Sequence, residues 1–81
     1  MSTSVTKNRK KRQANLEIFR RIIPQLNNMD IIVNSLTPYQ YRLTRGRRIV
    51  DYYPTSNKIY DINYNQWRVI DSPLKILRIN W

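Results

Sequence analysis

Four aspartates, Asp30, Asp51, Asp61 and Asp71, and a single glutamate, Glu17, are the side chains here with the chemistry to hold a metal ion or shuttle a proton. The chain contains no histidine and no cysteine. Metal-dependent nucleases gather two or more carboxylates around Mg²⁺, and Asp51 and Asp61 fall on neighbouring predicted strands. No Glu or Lys stands at nuclease spacing around them, however, and aspartate is common at strand ends and turns. The plainer reading of Asp51 is an ion pair with Arg42, which lies diagonal to it across a predicted hairpin. Imidazole bases, thiolate nucleophiles and zinc–thiolate sites are excluded by composition. A tyrosine nucleophile among the six tyrosines lacks the histidine or larger scaffold such chemistry uses. These residues describe a binding protein rather than an enzyme, with no catalytic residue, metal, cofactor or small-molecule substrate indicated.

The cations carry the stronger signal. Fifteen Lys and Arg against five Asp and Glu give a formal charge of +10 on 81 residues. Such a surface attracts polyanions, with an affinity that falls as salt rises. The charge is polarised: residues 1–21 hold seven of the fifteen cations against Glu17 alone, or +6 of the total. Lys7, Arg9, Lys10, Lys11 and Arg12 form a basic run in a segment too polar to offset its own ordering entropy. Residues 1–15 therefore read as a flexible basic arm that contacts phosphate; the alternative is a solubilising tail. A second cluster, Arg45, Arg47 and Arg48, brackets Gly46 at a predicted hairpin tip, where it can sit on phosphates or simply keep the tip polar. Tyr52, Tyr53, Tyr60, Tyr64 and Trp67 interleave with Arg47, Arg48, Lys58 and Arg68, the pattern of a stacking platform for unpaired bases. Most of these rings must build the core. Tyr53, on the polar face of the hairpin, is the ring best placed to stay exposed.

The elements that position these groups follow from periodicity. Leu16, Phe19, Ile23 and Leu26, with Ile22 beside them, mark one face of a helix starting at Leu16. Pro24 predicts a kink, or a stop near Ile22, and Asn27 and Asn28 are suitable terminators. Five β-rich stretches follow: 30–36, 39–44, 47–53, 58–63 and 67–70. A two-residue Arg45-Gly46 turn pairs Thr44 with Arg47, placing Tyr39, Tyr41, Leu43, Val50 and Tyr52 on one apolar face. Pro54–Asn57 and Asn63–Gln66 are turns by composition. Ser72-Pro73 opens either a last helical turn (Leu74, Leu77, Trp81) or an edge strand (Ile76, Arg78). The fold class is α+β: an N-terminal helix packed on a three- or four-stranded antiparallel meander, then a short C-terminal helix or strand. Residues 16–81 form one small domain. No apolar run approaches the ~20 residues of a membrane span, and the absence of Cys fits a reducing compartment, so a soluble cytoplasmic protein is expected.

The stretch TPYQYRLTRGRRIVDYYPTSNKIYDINYNQW, Thr37 to Trp67, resembles a family of small bacteriophage-type proteins. The matching positions are Thr37, Pro38, Tyr39, Tyr41, Arg42 and Leu43, then Asp51 to Ser56 with Lys58, then Trp67. The resemblance implies a phage context, with the host cytoplasm as the compartment, and a compact α+β domain. It implies no activity. The α-β-β-β-α order is also similar to that of double-stranded RNA-binding domains, but the basic cluster which that family places at the start of its last helix is missing. The expected function is a phage accessory protein that binds nucleic acid non-specifically through Lys7, Arg9, Lys10, Lys11, Arg12, Arg45, Arg47, Arg48 and Tyr53. The alternatives are a small protein that docks on a polymerase, nuclease or defence complex, and a minor structural component of a large assembly.

Overall fold

In the computed structural model, which describes the backbone over residues 3–81 and side chains over residues 10–81, one long helix lies across an antiparallel meander. Helix α1 (Thr3–Asn28) is followed by β1 (Ile32–Thr37), β2 (Gln40–Arg45), β3 (Arg48–Tyr53), β4 (Lys58–Asp61), β5 (Gln66–Val69) and a C-terminal 3₁₀ helix (Pro73–Arg78). The strands pair in chain order, β1-β2-β3-β4-β5. The α+β class is the one the periodicity indicates. The sheet has five strands, and the short closing element is a 3₁₀ helix opened by Ser72, whose hydroxyl accepts from the Leu74 amide, and by Pro73. Five strands and no closing α-helix set this order apart from that of a double-stranded RNA-binding domain.

α1 starts at Thr3, not at Leu16, so the segment read as an arm continues the helix. Lys, Arg, Gln and Ala are good helix formers, so nothing in residues 9–14 breaks a helix whose packing begins at Leu16. Phe19, Ile22 and Leu26 are fully buried, with Leu16 and Ile23 flanking them. Pro24 does not end the helix. It stands on the exposed side, and burial of Leu26 beyond it outweighs the lost hydrogen bond to Arg20. The helix ends at Asn28 and is closed at Asp30, in the left-handed region at φ 63°. There the Asp30 amide donates to Asn27 O and the Ile31 amide to Leu26 O, both at 3.0 Å. Ile31 and Leu26 join the same core cluster. This is a Schellman closure, which satisfies helix carbonyls otherwise left open.

The β2–β3 turn sits one residue later than the sequence suggests. Arg45 pairs with Arg48, Leu43 with Val50 and Tyr41 with Tyr52, leaving Gly46 and Arg47 as the loop. Gly46, at φ +58°, takes the first central position, where a two-residue hairpin demands positive φ. Moving the turn by one residue shifts the pairing by two, so every side chain keeps the face that alternation assigns it. Leu43, Val50 and Tyr52 are buried on the inner face and Tyr41 is half-buried; Tyr39 remains 55% exposed. Phe19 fills the interface, its ring centroid 5.1 Å from Tyr41 and 5.0 Å from Tyr52. Ile59 and Ile76 complete the core.

Both helical elements cover this inner face. The outer face carries no element of the described chain, as is common for antiparallel sheets. α1 also has a defined direction along the strands. Asn15 donates to Pro54 O at the far end of β3, whereas the α1–β1 connection returns to Ile32, opposite Thr44 and next to the β2–β3 turn. The N-terminal part of α1 thus lies at one end of the sheet and the hairpin tip at the other, along a body 44 Å in its longest dimension.

Candidate nucleic-acid interface

The two basic clusters occupy opposite ends of the molecule. At the α1 end, Lys10 and Lys11 are exposed, while Arg12 turns toward the sheet and lies over the Tyr39 ring, 4.6 Å from its centroid. The side chains of Lys7 and Arg9 lie outside the described residues. At the hairpin end, Arg45 and Arg47 are exposed on either side of Gly46. The structure therefore does not merge the arm and the tip into one patch. Arg20 and Arg21, exposed along α1, extend the first cluster along the helix.

Arg48 differs from its neighbours. Its guanidinium pairs with Asp61, donates to Asn63 Oδ1 at 3.3 Å and to Asn80 O at 3.2 Å, and lies 5.1 Å from the Tyr64 ring centroid. Only 15% of the side chain is exposed. These contacts tie the hairpin to the β4–β5 turn and to the C-terminal segment, leaving Arg48 engaged by the fold. The Arg48 hydrogen bond holds the Asp61 carboxyl below the ordinary carboxylate range, against desolvation, which pushes it up; the Tyr64 and Asn63 amides help. Asn63 adds a second clamp, accepting from the Ile49 amide at 2.8 Å and donating to Arg47 O at 2.9 Å.

Asp51 stands directly opposite Arg42, where the earlier turn placement made them diagonal. The pair is bidentate, at 2.9 and 3.1 Å, and Gln40 Nε2 donates to the same carboxylate at 3.0 Å. Asp51 and Asp61 point to opposite faces, since Asp61 pairs with the inward Val50 and Asp51 with the outward Tyr60. They cannot converge on one ion, and the described residues contain no cluster of three metal-ligating side chains.

On the outer face, register assembles a group that linear spacing does not reveal. Asn34, Arg42, Asp51, Tyr60 and Trp67 form one row across all five strands. Trp67 packs between two tyrosines, with centroids 5.2 Å from Tyr53 and 4.8 Å from Tyr60. Trp67 is 56% exposed, and Tyr53 and Tyr60 are half-buried. Tyr53 is thus less exposed than its place on the polar face suggests, because Trp67 leans on it. Burial, and then the nearby Asp51 charge, raise its phenol. Tyr60 is oriented by donating to Asn65 Oδ1 at 2.8 Å, and Lys58, exposed, lies opposite both Tyr53 and Val69. Sequence reasoning ranked Tyr53 first and missed Trp67 as the centre of the group. The signal was the antiparallel return after Asn65, which sets Tyr60 opposite Trp67.

No protein-family model, curated protein or solved structure matches the chain. Among the described residues, no helix is long and apolar enough to cross a membrane.

Proposed function

We propose that this is a small phage-type accessory protein that acts in the host cytoplasm and binds nucleic acid through the phosphate backbone, without reading base sequence. One observation carries the reading. Among the described residues, ion pairing involves only Arg42–Asp51 and Arg48–Asp61, so two of the five acids are used inside the sheet, and against the exposed Glu17, Asp30 and Asp71 stand Lys10, Lys11, Arg20, Arg21, Arg45 and Arg47, all facing solvent. Uncompensated Lys and Arg at both ends of a small body favour a long, regularly charged polyanion. Phosphate contacts of this kind supply affinity and register, not specificity.

The test is a salt titration of binding to a labelled duplex and to a labelled single strand of mixed sequence. The logarithm of the association constant is expected to fall linearly with log salt, by about 0.9 per phosphate contact on duplex and about 0.7 on a single strand. A flat salt dependence, or no binding at low salt, rejects the reading. The second reading, docking on a protein machine, is favoured by edge strand β1, whose Ile32 and Leu36 are 62% and 45% exposed. An edge of this kind can accept a partner strand.

A further inference from the structure

We propose that the outer sheet face is a stacking platform for single-stranded nucleic acid, with Trp67 as its central ring, Tyr53 and Tyr60 as flanking rings, and Lys58 as the phosphate-facing cation. This deepens the nucleic-acid reading above and rests on it. Three observations converge on the face.

The first is the geometry of the rings. Trp67 touches both Tyr53 and Tyr60, yet is more than half exposed. A large ring in that position gives up burial that the inner core could have supplied. The hydroxyl of Tyr60 is held by Asn65, so the group is set before any ligand arrives, which lowers the ordering cost of binding.

The second is charge. The one carboxylate on this face, Asp51, is 3% exposed and is neutralised by Arg42 and Gln40. With Arg42 and Asp51 cancelling each other, the charge left beside the rings is positive: Lys58, exposed and opposite Tyr53. Aromatic faces flanked by cations match unpaired bases on a phosphate chain. Duplex bases are already stacked on each other and cannot reach the rings.

The third concerns the rival occupant. Two copies of this face brought together would set Lys58 against its own counterpart in chains of formal charge +10 each, which like-charge repulsion opposes.

The experiment compares Trp67→Ala, Tyr53→Ala and wild type for binding to a labelled oligothymidylate and to a duplex of equal length, with circular dichroism confirming the fold. Wild type is expected to prefer the single strand. Trp67→Ala is expected to weaken single-strand binding about tenfold or more, in keeping with the loss of a base–aromatic stack, while duplex binding stays within about twofold; Tyr53→Ala weakens the single strand less, because its ring is half covered. Equal loss on both ligands, or no loss on either, overturns the platform. Should both ligands bind with a steep salt slope while Trp67→Ala changes nothing, the platform falls and the phosphate reading stands. Absence of binding to both removes the two together. A wild-type dimer that Trp67→Ala converts to monomer in sedimentation assigns the face to a second copy and overturns the proposal as well.

Discussion

Asp61 is 2% exposed and stays charged because Arg48 and two turn amides meet its carboxylate. Its folded pKa lies below the unfolded value, so the sign of the linkage is set. The stabilisation is fully present above the ordinary aspartate range near ~3.9 and is lost as pH falls through the depressed folded value. Asp61→Asn should therefore lower the thermal midpoint at neutral pH, and the gap to wild type should close as the solution is acidified. Thermal melts at several pH values check this; a gap that stays constant into acid would show that the charge is not what Asp61 contributes. Arg48 belongs to the same unit. Its removal leaves a buried carboxylate without its guanidinium, the situation in which a paired charge becomes costly.

The hairpin and the helix end show how single backbone positions shape an element. Gly46 has no atom within 4 Å of where a Cβ would stand, so its requirement is conformational and not steric. Gly46→Ala should destabilise the protein by about 1–2 kcal/mol, the cost of placing an L side chain in the left-handed region, and Gly46→Asn by less. Chemical denaturation measures both; an alanine variant as stable as wild type would mean that the turn rearranges freely. Asp30, Asn57 and Asn65 occupy the same region with φ of 63°, 52° and 50°, and Asp and Asn are the side chains that tolerate it best. Asn57 also accepts from the Tyr52 hydroxyl and donates to Ile70 O, joining the β3–β4 turn to the chain beyond β5.

Across the whole molecule, the separation of the basic clusters governs how binding responds to mutation. The α1 end and the hairpin tip are divided by the length of the sheet, well beyond the ~8 Å Debye length at physiological salt. Replacing Arg45 and Arg47 by Ala should reduce the salt slope on duplex by about 2, and replacing Lys10 and Lys11 by about 2. The combined variant should lose the sum, because distant sites add. Slopes measured on the quadruple variant that fall short of the sum would place both clusters on the same phosphates. Stability is also a property of the whole. With one core built on Phe19, Tyr52 and a few aliphatic side chains, a domain of this length holds only about 3–5 kcal/mol in reserve.

The α+β class, the sign and polarity of the charge, and the inward set Leu43, Val50 and Tyr52 were determined by the sequence alone. Alternation in a strand depends on parity, and parity survives a turn misplaced by one residue. The start of α1 was not legible, because the apolar stripe marks only where the helix is packed and good helix formers extend it without further burial. The helix ends at Asn28, where Asn27 and Asn28 suggest a terminator, and does not stop near Ile22; its closure at Asp30 depends on Ile31 reaching Leu26, a contact that local composition does not announce. Only the tertiary structure decided which arginine of the tip is held, since Arg45, Arg47 and Arg48 are alike until Asp61, Asn63 and Asn80 come close to one of them. Only register across β3, β4 and β5 gathered Tyr53, Tyr60 and Trp67 on one uncovered face. Periodicity assigns a side chain to a face of its own strand, whereas the neighbours it meets there depend on turn lengths and long-range pairing.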